Sequence, residues 1–201
     1  MRYLIIITSL FMALAFGPAW AQAAGSDSAR QYVDSVGQQV LTILNDQAEE
    51  TSKQQSLRQL FTQNVDMDWM ARFVLGPAWN QANADQKNRY LSAYKNYLLS
   101  RYTQNFSDYA GSQYTVTGVK AEQDGQYTVG MKVNSPNAEE KETMAGYRLL
   151  TENGQFRIID IIVEGVSLIT TQRSEFSSVV QTSGMDGLIQ QLQNKTKSGR
   201  A

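Results

Sequence analysis

Asp160 is the side chain with the most to offer chemically. It lies in the run Phe156-Arg157-Ile158-Ile159-Asp160-Ile161-Ile162-Val163, and a carboxylate held among such neighbours could act as a general base. The structural alternative is that it pairs with an arginine such as Arg101 or Arg173, or caps a helix end, because buried charges are normally paired. One carboxylate without a second acid or a nucleophile beside it favours the structural role. Asp66 and Asp68 flank Met67, but no glycine turn or later glutamate completes a calcium loop, and acids are expected at a helix N-terminus. The chain of 201 residues has no histidine and no cysteine. That excludes Ser-His-Asp and Cys-His nucleophiles, zinc or haem sites built on either residue, and redox disulfides.

The elements that must position these groups follow from periodicity. Residues 27–45 carry Tyr32, Val33, Val36, Val40, Leu41, Ile43 and Leu44 at helical spacing. Residues 56–61 read as a second, short helix and 66–75 as a third, ended by Gly76-Pro77. Asn83-Ala84-Asp85-Gln86 has the form of a capping box and opens the longest helix, expected over 84–110. On it Tyr90, Leu91, Tyr94, Leu98, Tyr102 and Phe106 or Tyr109 form an apolar stripe at steps of three and four. The period then changes to two. Strands are predicted over 114–121, 127–133, 143–150 and 156–163, joined by hairpins at Asp124-Gly125 and Asn153-Gly154 and by a turn at Ser135-Pro136-Asn137. In the last strand Phe156, Ile158, Asp160 and Ile162 fall on one face, and Ile159, Ile161 and Val163 on the other. Two helices, 167–180 and 185–192, close the chain. The expected architecture is α+β, a curved antiparallel sheet of about four strands packed against helices. Several hydroxylated rings facing a sheet of Val, Met and Ile suggest a cup with an open-mouthed apolar cavity rather than a dry core.

Composition narrows the classes. With 18 Lys plus Arg against 19 Asp plus Glu, the formal charge is -1, which argues against nucleic acid as a partner and against electrostatic adhesion to anionic lipid. Met1-Arg2, the apolar run 4–16 and Ala19-Trp20-Ala21 have the layout of a secretory signal peptide, residues 1–21, with cleavage expected after Ala21. Residues 22–201 then form a single domain, with no cysteine near the cleavage point to carry a lipid anchor.

The segment from Asp160 to Phe176, with Glu164-Gly165-Val166-Ser167 at its centre, and the later Gly184-Met185-Asp186-Gly187-Leu188-Ile189-Gln190-Gln191-Leu192 resemble the C-terminal signature of the MlaC family, the toluene-tolerance auxiliary proteins. Val74-Leu75-Gly76-Pro77-Ala78-Trp79 is similar to the family's other diagnostic block. The resemblance covers essentially the whole mature chain. It implies a soluble periplasmic phospholipid carrier that exchanges lipid with an outer-membrane lipoprotein and porin complex and with an inner-membrane ABC transporter, maintaining outer-membrane lipid asymmetry. It also implies that the acyl chains sit in an apolar cavity between sheet and helices with the head group near solvent. No catalytic residue, cofactor or metal is expected, and the chain is expected to act as a monomer.

Strand parity and the helical stripes assign the lining of such a cavity. It comprises Phe73 and Val74, then Tyr94, Leu98 and Tyr102 from the long helix, Tyr147, Leu149, Phe156 and Ile158 from the sheet, and Val166 and Ile169 from the start of the closing helix. Two other classes compete with the carrier: a small-molecule enzyme that uses Asp160 on a similar cup, and a periplasmic adaptor that binds no lipid.

Overall fold

Two hairpin turns set the order of the sheet. Asp124-Gly125 and Asn153-Gly154 all take positive φ, at 56°, 71°, 50° and 77°, the backbone that a two-residue type I′ connection requires and that Asp, Asn and Gly tolerate best. The computed structural model describes residues 19–103, 109–136 and 142–198, with side chains described from Gly25. The signal peptide expected over 1–21 thus lies largely outside the described residues, as do Phe106 and Asn137. Among the described residues the sheet has five antiparallel strands in chain order: β1 (Gln113–Ala121), β2 (Gln126–Asn134), β3 (Glu142–Glu152), β4 (Gln155–Val163) and β5 (Val166–Ser167). The fold is α+β, and the fifth strand is a two-residue addition to the four expected.

The helices differ from expectation where their apolar pattern is weak. α1 (Ala19–Asn45) begins at Ala19 rather than at Asp27, since the alanines ahead of Asp27 favour helix without marking a face. α2 (Glu50–Asn64) extends beyond 56–61, because outside Leu57, Leu60 and Phe61 the helix is polar and carries no apolar stripe to mark its ends. α3 (Met67–Leu75) is capped by Asp66, whose carboxylate accepts the Trp69 N–H at 2.9 Å, so this acid serves the helix. Gly76, at φ 57°, ends α3, and Pro77 occupies the first turn of a short α4 (Pro77–Gln81) that periodicity does not reveal. α5 (Ala84–Tyr102) has the predicted capping box, with Asn83 Oδ1 accepting the Gln86 N–H and Gln86 Oε1 accepting the Asn83 N–H. It stops short of 110, because Thr103 leaves helical dihedrals and its hydroxyl donates back to the Leu99 carbonyl. α6 (Leu168–Ser198) contains both predicted closing helices, broken at Gly184 with φ 69° and ψ -177°.

One correction reaches the site. The β3 and β4 register pairs Leu149 with Ile158 but Arg148 with Asp160, leaving Ile159 as a bulge. A bulge resets the alternation of every residue beyond it. Ile161 and Val163 therefore share the face of Ile158, and Asp160 and Ile162 point the other way, opposite to the parity read from the sequence.

α1 lies along β1 and β2, α6 packs on α3, α5 and β4, and the chain between α2 and α3 joins the free side of β4. There the Asp66 N–H donates to the Ile158 carbonyl at 2.9 Å and Arg157 donates to the Val65 carbonyl at 3.0 Å. The core lies where these elements meet. Met70, Val74, Tyr90, Tyr94, Leu98, Ile169, Phe176, Leu188 and Leu192 are at most 1% exposed, each side chain of that size contributing about 1.5–3 kcal/mol by leaving water.

Burial of the phenols makes stability depend on alkaline pH. Desolvation raises Tyr90 and Tyr94 well above the ordinary tyrosine value of 10.0 and pushes Tyr102 up to about 12. Between pH 10 and 12 the unfolded chain releases protons that the folded chain keeps, so folding loses free energy as pH rises through this window. The melting temperature is expected to fall across it, and a flat profile there would contradict the burial of these rings.

Candidate functional site

Cross-strand pairing assembles the inner face of the sheet from three apolar rows. Ala121, Tyr127, Leu149 and Ile158 form the first, Val119, Val129, Tyr147 and Ile161 the second, and Val116, Met131, Ala145 and Val163 the third, which Val166 extends by pairing with Val163. Residues directly opposite on a ladder share a face, so the rows form one apolar surface. Its accessibility is graded. Along β4 and the turn after it, exposure rises from 4% at Ile158 to half-burial at Ile161, 46% at Val163 and 61% at Val166. Val129 and Leu149 are fully buried, whereas Val116, Val119, Ala145 and Tyr147 keep part of their surface. The apolar face therefore continues beyond the core that covers it.

Tyr147 sits at the transition. Burial raises its phenol, with Tyr109 close enough to add to the effect, yet the side chain keeps accessible surface. This is the combination expected of a ring that lines a hollow. At the other end of the face Phe156 meets Tyr32 at 5.6 Å and Tyr127 at 5.7 Å, and Phe61 stacks on Tyr102 at 6.5 Å.

The residues assigned to the cavity from the sequence divide into three groups. Val74, Tyr94, Leu98, Leu149, Ile158 and Ile169 are buried together in one cluster, with Tyr102, Tyr147 and Phe156 half-buried against it. Phe73 also borders that cluster, but its ring stacks on Trp69 at 5.2 Å and lies under the Arg173 guanidinium at 4.9 Å, so it is covered by a cation. Val166 stands exposed at the rim, because the tight turn through Glu164 and Gly165 carries it past the helices. Sequence reasoning missed Val119, Ala145 and Ile161 on the inner face and Tyr32 beside it. The apolar stripe of α1 pointed to Tyr32; nothing marks the bulge that turns Ile161 inward.

Asp160 is fully engaged. Its oxygens accept the Ser167 hydroxyl at 2.7 Å and the Ile169 N–H at 3.2 Å, and Arg148 stands 3.6 Å away. Neither Arg101 nor Arg173 is its partner. The carboxylate ties the first turn of α6 to β4, where the unpaired amides of a helix N-terminus favour an anion.

A separate concavity of about 810 Å³ runs between α5 and α6, lined by Tyr97, Ser100, Arg101, Gln190, Asn194 and Lys195 among others. Its polar lining does not suit apolar cargo. Among the described residues no three acids gather to hold a metal, and no helix is long and apolar enough to cross a membrane.

Residues 34–194 match the family described as MlaC protein. Over 123 residues the chain is 25% identical to Toluene tolerance protein ttg2D of Pseudomonas putida, covering 61% of this chain and 56% of that one. Over 132 residues it is 20% identical to the Intermembrane phospholipid transport system binding protein MlaC of Haemophilus influenzae, covering 64% and 61%. The matched regions thus span less than two thirds of either relative's length. A phospholipid-binding protein from Ralstonia solanacearum, solved in complex with a phospholipid, has the same fold, with a TM-score of 0.73 at 20% identity over 84% of this chain and 97% of that one.

Proposed function

Because the chain belongs to the MlaC family, we propose that it binds a phospholipid with the acyl chains against the inner face of the sheet and carries it through the periplasm. The observation that carries this reading is the graded apolar face, dry at Leu149 and Ile158 and accessible from Tyr147 and Ile161 to Val166. The phospholipid in the Ralstonia solanacearum structure and the transport role in the name of the Haemophilus influenzae relative support it. On this reading residues 22–201 are one lipid-binding domain that exchanges cargo with an outer-membrane lipoprotein and porin complex and with an inner-membrane ABC transporter, with no catalytic step.

Hydrophobic transfer explains why a carrier is needed. A methylene is worth roughly 0.8 kcal/mol, so two chains of about 16 carbons would cost on the order of 25 kcal/mol in water. Bilayer and cavity are both apolar, so transfer between them is close to neutral, and docked partners can decide loading and release. Native mass spectrometry of the protein purified from bacteria is expected to find one diacyl phospholipid per chain. A wild-type protein that carries none and takes none from vesicles would overturn the carrier reading and leave the adaptor.

A further inference from the structure

Gln172 holds a donor with nothing to receive it. Ile169, Gln172 and Phe176 form one inward stripe of α6, exposed by 0%, 3% and 1%. The Gln172 carbonyl oxygen accepts the Tyr94 hydroxyl at 2.7 Å, but Nε2 meets no acceptor. A buried donor left unpaired is costly, whereas an apolar pair of the same shape in place of both partners can be nearly neutral. Supplying an acceptor to Tyr94 accounts for the oxygen of the carboxamide and leaves its nitrogen unexplained. The pair lies in the cluster that joins α5 and α6 to the inner face of the sheet, where Tyr94, Ile169 and Phe176 pack together with Leu149 and Ile158, and Asp160 of β4 holds the Ile169 N–H.

Phospholipid chemistry supplies the missing acceptor. The glycerol backbone of a diacyl lipid presents ester and phosphodiester oxygens, which only accept, so any hydrogen bond to it must be donated by the protein. A phosphate at this depth would meet the buried Asp160 carboxylate, which the partly exposed Arg148 attends only at 3.6 Å, and the two negative charges would repel. A neutral ester carbonyl meets no such repulsion. We propose that Gln172 Nε2 donates to an ester carbonyl of the bound lipid, with the Tyr94 hydroxyl fixing the orientation of the carboxamide. This rests on the phospholipid reading and adds to it the feature recognised, an acyl ester rather than any apolar chain.

The test offers the full-length mature protein equal amounts of dipalmitoyl phosphatidylethanolamine and its dialkyl ether analogue, which lacks both carbonyls, and measures the bound ratio by native mass spectrometry. Wild type is expected to hold the ester lipid about fivefold to tenfold over the ether, the worth of one hydrogen bond, and Gln172→Leu to hold the two equally. Gln172→Met repeats the measurement where the leucine variant fails to fold, and the wild-type ratio needs no variant. Binding of both lipids without preference by wild type, or an unchanged preference in a folded variant, overturns the role of Gln172 alone. Wild type that binds neither overturns the phospholipid reading with it.

Discussion

Tyr147→Glu is expected to empty the protein of phospholipid while leaving it folded. The ring lines the part of the inner face that keeps accessible surface, opposite Val129 and Ile161. A glutamate there sets a carboxylate against the acyl methylenes, a penalty of about 3 kcal/mol or more that corresponds to roughly 100-fold weaker retention. Native mass spectrometry measures the occupancy and circular dichroism the fold. Val166→Glu is the matched control: the residue is 61% exposed at the rim, so the variant should lose far less lipid. Leu98, fully buried among the helices, cannot serve in the same way, since a charge there tests folding before binding. A folded Tyr147→Glu variant that still carries lipid at wild-type stoichiometry would remove this face as the binding surface.

Asp160→Ala should cost stability. The substitution leaves the buried Ile169 N–H without its acceptor, turns the Ser167 hydroxyl to Thr170 Oγ1 at 3.0 Å and removes the anion from the start of α6. The orphaned amide and the lost helix-end anion amount to about 1.5–4 kcal/mol, or a melting temperature lower by roughly 3–15 °C for a domain of this size. Arg148 keeps partial exposure, so its charge can turn to water and adds little to the loss. Asp160→Asn retains one acceptor and should fall between. Thermal unfolding decides the matter: a melting temperature within about 1 °C of wild type would mean that the carboxylate does not fasten α6 to β4. An enzyme built around Asp160 would instead lose turnover in both variants with its fold intact.

The two hairpins and one helix cap show what the sequence makes legible. Asp124-Gly125 and Asn153-Gly154 announce their turns because few other pairs tolerate two successive positive φ angles. The capping box at Asn83 is equally local, and so was recoverable. What stayed hidden depends on partners distant in the chain. The bulge at Ile159 has no marker, since Ile-Ile-Asp-Ile-Ile suits a regular strand, and only the register with Arg148 and Leu149 exposes the extra residue. That single residue turned Ile161 toward the inner face and Asp160 away from it. The exposure of Val166 stayed hidden for a related reason: whether a residue after a tight turn lies under a helix or at the rim is a matter of distance that periodicity does not carry. Gln172 reads as one more glutamine in a polar segment until α5 brings Tyr94 to it.

The strands pair in the order in which they occur, β1 through β5. Each pairing therefore joins neighbours along the chain, and β2 and β3 need no distant segment to find their partners. Loop-closure entropy is small for every step, which places the sheet among topologies that form quickly. The helix that closes over α3 and α5, α6, is the last element in the chain. A chain threaded from its N-terminus thus has β1 through β5 available for pairing before α6 follows, and the contacts of α3 and α5 with α6 form only after the sheet can be complete.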